Sequence, residues 1–85
     1  MRLAGRSVLV TGATGGIGGA ITHDLARRGC AVIVTGRRQT HVTRLVTELG
    51  PPARGLVADL TKPEEIRDLL ASADPVDVLV ANAGS

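Results

Sequence analysis

Four short apolar runs alternate along this chain with three stretches whose apolar residues recur every three or four positions. Ser7 to Val10 reads as a buried strand that ends at Thr11. From Gly16 to Arg28 the residues Ile17, Ala20, Ile21 and Leu25 fall at helical spacing, and Gly29 supplies a stop. Ala31 to Thr35 is a second apolar strand. Val42, Leu45, Val46 and Leu49 then mark an amphipathic helix, closed by Gly50-Pro51-Pro52. Gly55 to Ala58 reads as a short third strand leading into Asp59-Leu60. Thr61-Lys62-Pro63-Glu64 has the form of a capping box with a proline in the first turn. The helix it opens carries Ile66, Leu69, Leu70 and Ala73 on one face, and Asp74-Pro75 ends it. Val76 to Ala81 is the fourth strand, and Asn82-Ala83-Gly84 is a turn.

The sum is β-α-β-α-β-α-β. Such alternation predicts an α/β fold: a parallel sheet with right-handed crossovers and helices on both faces. The strands are near-continuous apolar runs, as a sheet covered on both sides requires. Ligands of such sheets bind at the carboxyl ends of the strands. Thr11-Gly12, Gly36-Arg37, Asp59 and Asn82 all fall at those ends.

The first of these ends is the most informative. Leu9-Val10-Thr11 runs into Gly12-Ala13-Thr14-Gly15-Gly16-Ile17-Gly18-Gly19 and then into the first helical pattern. Glycines there permit left-handed backbone angles and let another group approach the main chain. A loop that opens a helix aims free N–H groups, and the positive end of the helix dipole, at whatever sits above it. The arrangement suits a phosphate. Gly12, Gly16 and Gly18 follow G-x-x-x-G-x-G rather than G-x-G-x-x-G, and a P-loop is excluded because the only lysine is Lys62.

Composition narrows the picture further. Eighty-five residues make one small domain at most. Hydrophobic residues are 44% and there is no Phe, Tyr or Trp, so the core is built from Leu, Val, Ile and Ala. Ten cations are mixed with eight acids for a net charge of +2, with no block of like charge. That pattern argues against nucleic-acid or membrane-surface partners. The single Cys30 cannot form an internal disulfide and reads as a buried thiol. No secretory h-region and no long apolar span is present, and a reducing cytoplasm is the expected compartment. No His, Cys and Asp cluster has metal-ligand spacing, so no metal site is expected. His23 lies off the apolar face of its helix, whereas His41 falls near the end of the second strand.

Thr11-Gly12-Ala13-Thr14-Gly15-Gly16-Ile17-Gly18, Asp59-Leu60 and Asn82-Ala83-Gly84, taken together, resemble the short-chain dehydrogenase/reductase family. The resemblance spans the whole chain but only the cofactor-binding N-terminal half of that family's fold. It implies a Rossmann-like three-layer sandwich with strand order 3-2-1-4, here truncated, so that residues 1–85 form the incomplete first part of an NAD(P)-binding domain. It also implies roles. Gly12, Thr14, Gly15, Gly16, Ile17 and Gly18 would line the pyrophosphate. Asp59 would accept a hydrogen bond from the adenine amino group, with Leu60 beside it. Asn82, Ala83 and Gly84 would border the adenosine ribose and the path to the nicotinamide. Asp59 and Asn82 also read as plain turn residues.

The second strand selects the cofactor. NAD-specific sites place an acid there, about 20 residues past the glycines, on the ribose 2′-OH. This chain has Gly36 followed by Arg37 and Arg38. An arginine holds a 2′-phosphate through a charge-assisted contact that a carboxylate would repel. NADP is therefore expected in preference to NAD, with Arg37 the stronger candidate and Arg38 open to a reading as a solvated charge at the helix start. Many NADP-using relatives carry a base just before the second motif glycine, where this chain has Gly15.

Two alternatives stay open. Gly12, Gly15 and Gly18 also satisfy G-x-x-G-x-x-G, the pattern of the family's extended epimerase and dehydratase branch. A stand-alone nucleotide-binding module is the other. The family's hydride transfer between nicotinamide and a carbonyl or alcohol resembles acid–base catalysis by a Tyr, a Lys four residues on, and a Ser. This sequence contains no tyrosine, and Ser7, Ser72 and Ser85 do not stand where that pattern needs a serine. These residues alone are not expected to catalyse the reaction. The expectation is the N-terminal piece of a longer reductase, with a small-molecule substrate and a homo-oligomer only in the full-length form.

Overall fold

The computed structural model describes residues 4–12, 16–73 and 76–80, with Ile17 and residues 78–80 described by their backbone. Four strands and three helices alternate among the described residues: β1 (Ser7–Val10), α1 (Gly16–Arg27), β2 (Ala31–Gly36), α2 (Gln39–Leu49), β3 (Arg54–Val57), α3 (Pro63–Ala73) and β4 (Val78–Val80). The sheet is parallel throughout, with order β3-β2-β1-β4. This is the α/β, Rossmann-like arrangement expected. Boundaries move little. β3 begins at Arg54 and stops before Ala58, and β4 is shorter than the apolar run from Val76 suggests.

Alternation along the central strands sends side chains to opposite faces. Val8 and Val10 of β1 and Val32 and Val34 of β2 pack with Leu25 and Ala26 of α1 and with Val42, Leu45, Val46 and Leu49 of α2. Leu9 and Ile33 point the other way, onto Ala58, Leu69 and Ala73. The core is thus two apolar layers, one on each side of the sheet, and the three-layer sandwich follows. Cys30 is buried in the first layer.

Two helices present different faces from those their spacing predicts. On α1 the buried positions among the described side chains are Gly18 and Thr22, with Leu25 and Ala26 packed below, while Ala20 is exposed and the side chain of Ile17 lies outside the description. The contact stripe is rotated towards small residues, which let the helix lie close to the sheet. Thr22 is fully buried, and its hydroxyl is satisfied within the helix by donating to the Gly19 carbonyl at 2.8 Å. On α3 only Leu69 and Ala73 are buried, whereas Ile66 and Leu70 are 36% and 51% exposed. Both lie away from the sheet, so half of the predicted apolar face meets solvent.

Two backbone details fix the ends of the elements. Gly55 lies where α2 crosses β3, and a Cβ there would overlap Val42 Cγ1 and come within 3.0 Å of Val46 Cγ2. The guanidinium of Arg54 reaches the carbonyls of Ser72 and Ala73, at 3.4 Å each, and so covers the C-terminus of α3. At the far side of the sheet the Ser7 N–H donates to the Asp77 carboxylate at 2.8 Å, and the Asp77 N–H to the Ser7 carbonyl at 2.9 Å. That exchange sets the register of β4 against β1.

Candidate functional site

Because β1, β2 and β3 are parallel, their exits lie along one edge. Residues just past those exits surround a cleft of about 420 Å³. Gly12 comes from the first exit, Thr35 to Arg37 from the second, and Ala58 to Thr61 from the third. The size falls within the range of small-molecule pockets. Gly12 is buried with φ +64°, a left-handed backbone that disfavours any residue with a Cβ. The Ala58 N–H donates to the Gly36 carbonyl at 3.0 Å, which ties the second exit to the third beyond the end of the sheet ladder.

The third exit is held by a short hydrogen-bonded loop. Asp59 Oδ1 accepts from the Thr61 N–H at 3.0 Å and from the Thr61 hydroxyl at 2.6 Å. Glu65, in the first turn of α3, accepts the Asp59 N–H at 2.9 Å through Oε1. The expected capping box is therefore corrected. The carboxylate that reaches back belongs to Glu65 rather than Glu64, it lands on Asp59 rather than Thr61, and the Thr61 hydroxyl is a donor to Asp59. The acidity of Asp59 responds to this loop. The Thr61 hydroxyl and then the Thr61 N–H pull its pKa below the ordinary carboxylate value, with smaller help from the charges of Lys62 and Arg37. Asp59 is thus an ionised acceptor held at one wall of the cleft, with Arg37 close enough for its charge to be felt.

The sequence-nominated residues divide clearly. Gly12, Gly36, Arg37, Asp59 and Leu60 meet at the cleft. Arg38 is exposed and stands at the N-cap of α2, where its carbonyl accepts the Val42 N–H at 3.1 Å. It is not among the residues around the cleft. His41 is exposed in the first turn of the same helix, and His23 lies 3.4 Å from Glu48 on the outer surface. Gly16, Ile17 and Gly18 form the first turn of α1, which follows directly on the glycine loop. No acid occupies that turn, so its positive end is uncompensated. A Cβ placed on Gly16 would meet nothing within 4 Å, so packing among the described residues does not explain the glycine there. Thr14, Gly15, Asn82, Ala83 and Gly84 lie outside the described residues. No group of His, Cys, Asp and Glu fit to hold a metal occurs among the described residues, and no helix among them is long and apolar enough to cross a membrane.

Three contributors to the edge escaped sequence reasoning. Thr35 is the last inward residue of β2, and its hydroxyl has no hydrogen-bond partner among the described residues. Thr61 and Glu65 fix Asp59. A Thr or Glu at such positions carries no signal in a single sequence, since the pairing depends on how α3 returns over the strand exit.

Comparison with known proteins gives this edge its context. A family model described as short chain dehydrogenase matches residues 6–85. The chain belongs to the short-chain dehydrogenase family. Among curated relatives of this family, the 3-oxoacyl-[acyl-carrier-protein] reductase FabG of Rickettsia bellii is 40% identical over 82 residues, which cover 96% of this chain and 34% of the relative. The human mitochondrial dehydrogenase/reductase SDR family member 2 is 40% identical over 89 residues, covering 96% of this chain and 32% of the relative. Among solved structures, the F189W actinorhodin polyketide ketoreductase with NADPH superposes with a TM-score of 0.88 at 39% identity, over 95% of this chain and 34% of that one. The Brucella melitensis 3-ketoacyl-(acyl-carrier-protein) reductase complexed with NADH gives 0.85 at 28% identity, over 91% and 34%. This short-chain dehydrogenase sequence therefore spans about a third of the length of its relatives.

Proposed function

We propose that this chain is the dinucleotide-binding portion of a short-chain dehydrogenase/reductase, and that it binds NADP(H) in preference to NAD(H). The observation that carries the reading is the cleft at the strand exits. It sets a cation, Arg37, and a fixed carboxylate, Asp59, on one lining, beside a buried left-handed glycine and an uncompensated helix start. The residues fit the ligand chemically. The open space at Gly16 leaves room over the helix N-terminus for a pyrophosphate. Gly18 and the backbone of Ile17 belong to the same turn, and Thr14 and Gly15 precede it in the sequence.

Asp59 accepts from the adenine amino group, with Leu60 against the ring. Gly36 leaves space at the end of β2 for the ribose, and Arg37 takes the 2′-phosphate, with Arg38 at the helix start contributing charge. Asn82, Ala83 and Gly84, next along the same edge by sequence, border the ribose and the route to the nicotinamide. The bound dinucleotide supplies hydride exchange with a carbonyl or alcohol, the activity proposed for the whole protein. The sequence holds a single cysteine and so no internal disulfide, which suits a reducing cytoplasm.

The test is a swap of preference. Arg37→Asp is expected to weaken NADPH binding by about 10- to 100-fold, the loss of one charge-assisted hydrogen bond, and to leave NADH binding unchanged or improved. Equal losses for both nucleotides contradict the 2′-phosphate assignment.

A further inference from the structure

Thr35 is 1% exposed, and its Oγ1 has no hydrogen-bond partner among the described residues. Every other titratable or polar group around the cleft is either exposed or engaged, as Asp59 and Thr61 are with each other. Alternation along β2 places Thr35 on the same side of the sheet as Ile33, the side covered by α3. It is also part of the cleft's lining, between Gly12 and Ala58. A valine of nearly the same shape would fill this position with no polar atom to satisfy, as Val32 and Val34 do on the other face. An orphaned buried hydroxyl costs stability. Where the other buried polar side chains among the described residues are paired, such an orphan marks a group whose partner arrives from outside.

We propose that the Thr35 hydroxyl is a positioning group for the adenosine half of the dinucleotide, given the nucleotide site inferred above. It is left unpaired in the free protein and becomes hydrogen-bonded when the cleft fills. Adenosine offers several ring and ribose acceptors and donors, and a hydroxyl serves either role. The arrangement divides the labour at the edge. Arg37 reads the 2′-phosphate, Asp59 reads the amino group, and Thr35 meets the nucleoside from the floor.

The experiment compares the wild type with Thr35→Val and Thr35→Ser. Affinities for NADPH and for 2′,5′-ADP are measured by calorimetric titration, and thermal unfolding is measured without ligand. Thr35→Val is expected to weaken both ligands by about tenfold, the size of one hydrogen bond. Its ligand-free midpoint is expected to stay level or rise, because an unsatisfied hydroxyl has been removed. Thr35→Ser, which keeps the hydroxyl, is expected to retain wild-type affinity to within about threefold. A Thr35→Val protein that binds as tightly as the wild type overturns the proposal while leaving the nucleotide site intact. So does a ligand-free Thr35→Val protein that melts lower, which would give the hydroxyl a structural role. A wild type that binds neither ligand removes the nucleotide site, and this proposal with it.

Discussion

At the residue scale, the roles proposed for Arg37 and Asp59 are separable by experiment because they fall on different parts of one ligand. The group assigned to Arg37 in that proposal is one that only NADP(H) has, whereas the adenine amino group is common to both cofactors. Asp59→Ala is therefore expected to weaken NADPH and NADH alike, each by about 10- to 100-fold, the range for a hydrogen bond to a charged acceptor. A loss confined to NADPH would reassign Asp59. Its ionisation also enters stability. Asp59 is held below the ordinary carboxylate range by the Thr61 hydroxyl, and Asp24 is held there by its hydrogen bond to Arg28 and by the charges of Arg28 and Arg27. A carboxylate whose folded pKa is lowered stabilises the fold fully above its unfolded value, about 3.9, and the contribution is lost as pH falls through the folded value. The thermal midpoint is expected to hold level from neutral pH to about pH 5 and to fall below about pH 4. Asp24→Asn should make that fall shallower; an unchanged profile would contradict the linkage. Both residues around which the site is argued were legible in the sequence, since an arginine after the second strand and an acid after the third announce themselves by position. Thr35 was not legible, because an apolar run ending in threonine looks the same whether the hydroxyl is paired or orphaned.

At the scale of elements, spacing located every helix and strand but not every face. The apolar positions of α2 all pack on the sheet, as their period requires. In α1 the period pointed to Ala20, yet the helix turns Gly18 and Thr22 inward, since close approach of the helix favours small residues over regular apolar spacing. In α3 the neighbours Leu69 and Leu70 differ sharply, one 5% and the other 51% exposed. Leu69→Ala is expected to cost about 2–5 kcal/mol in denaturant unfolding. Leu70→Ala should stay within about 0.5 kcal/mol of the wild type. Comparable losses would mean that Leu70 is covered. Gly55→Ala tests the crossing of α2 over β3. Val42 and Val46 are packed around that glycine and cannot both yield, so a loss of about 1–3 kcal/mol is expected. Stability equal to the wild type would contradict the close approach.

At the scale of the whole molecule, the parallel order turns three separate sequence signals into one edge. No pair of Gly12, Arg37 and Asp59 is close in sequence, and only the order β3-β2-β1-β4 brings their strand exits side by side. This level was the most legible of all, because βα alternation with apolar strands has few topological solutions. The matched length, about a third of each relative, agrees with a chain that carries the proposed nucleotide-binding edge and no tyrosine. The most direct test of that account is titration of the purified protein with NADPH, followed by nicotinamide fluorescence, with NADH as the comparison. The absence of Trp and Tyr removes the protein's own background from the signal. The account predicts saturable binding with one site per chain, tighter for NADPH than for NADH by about one to two decades. Absence of saturable binding to either nucleotide would contradict it.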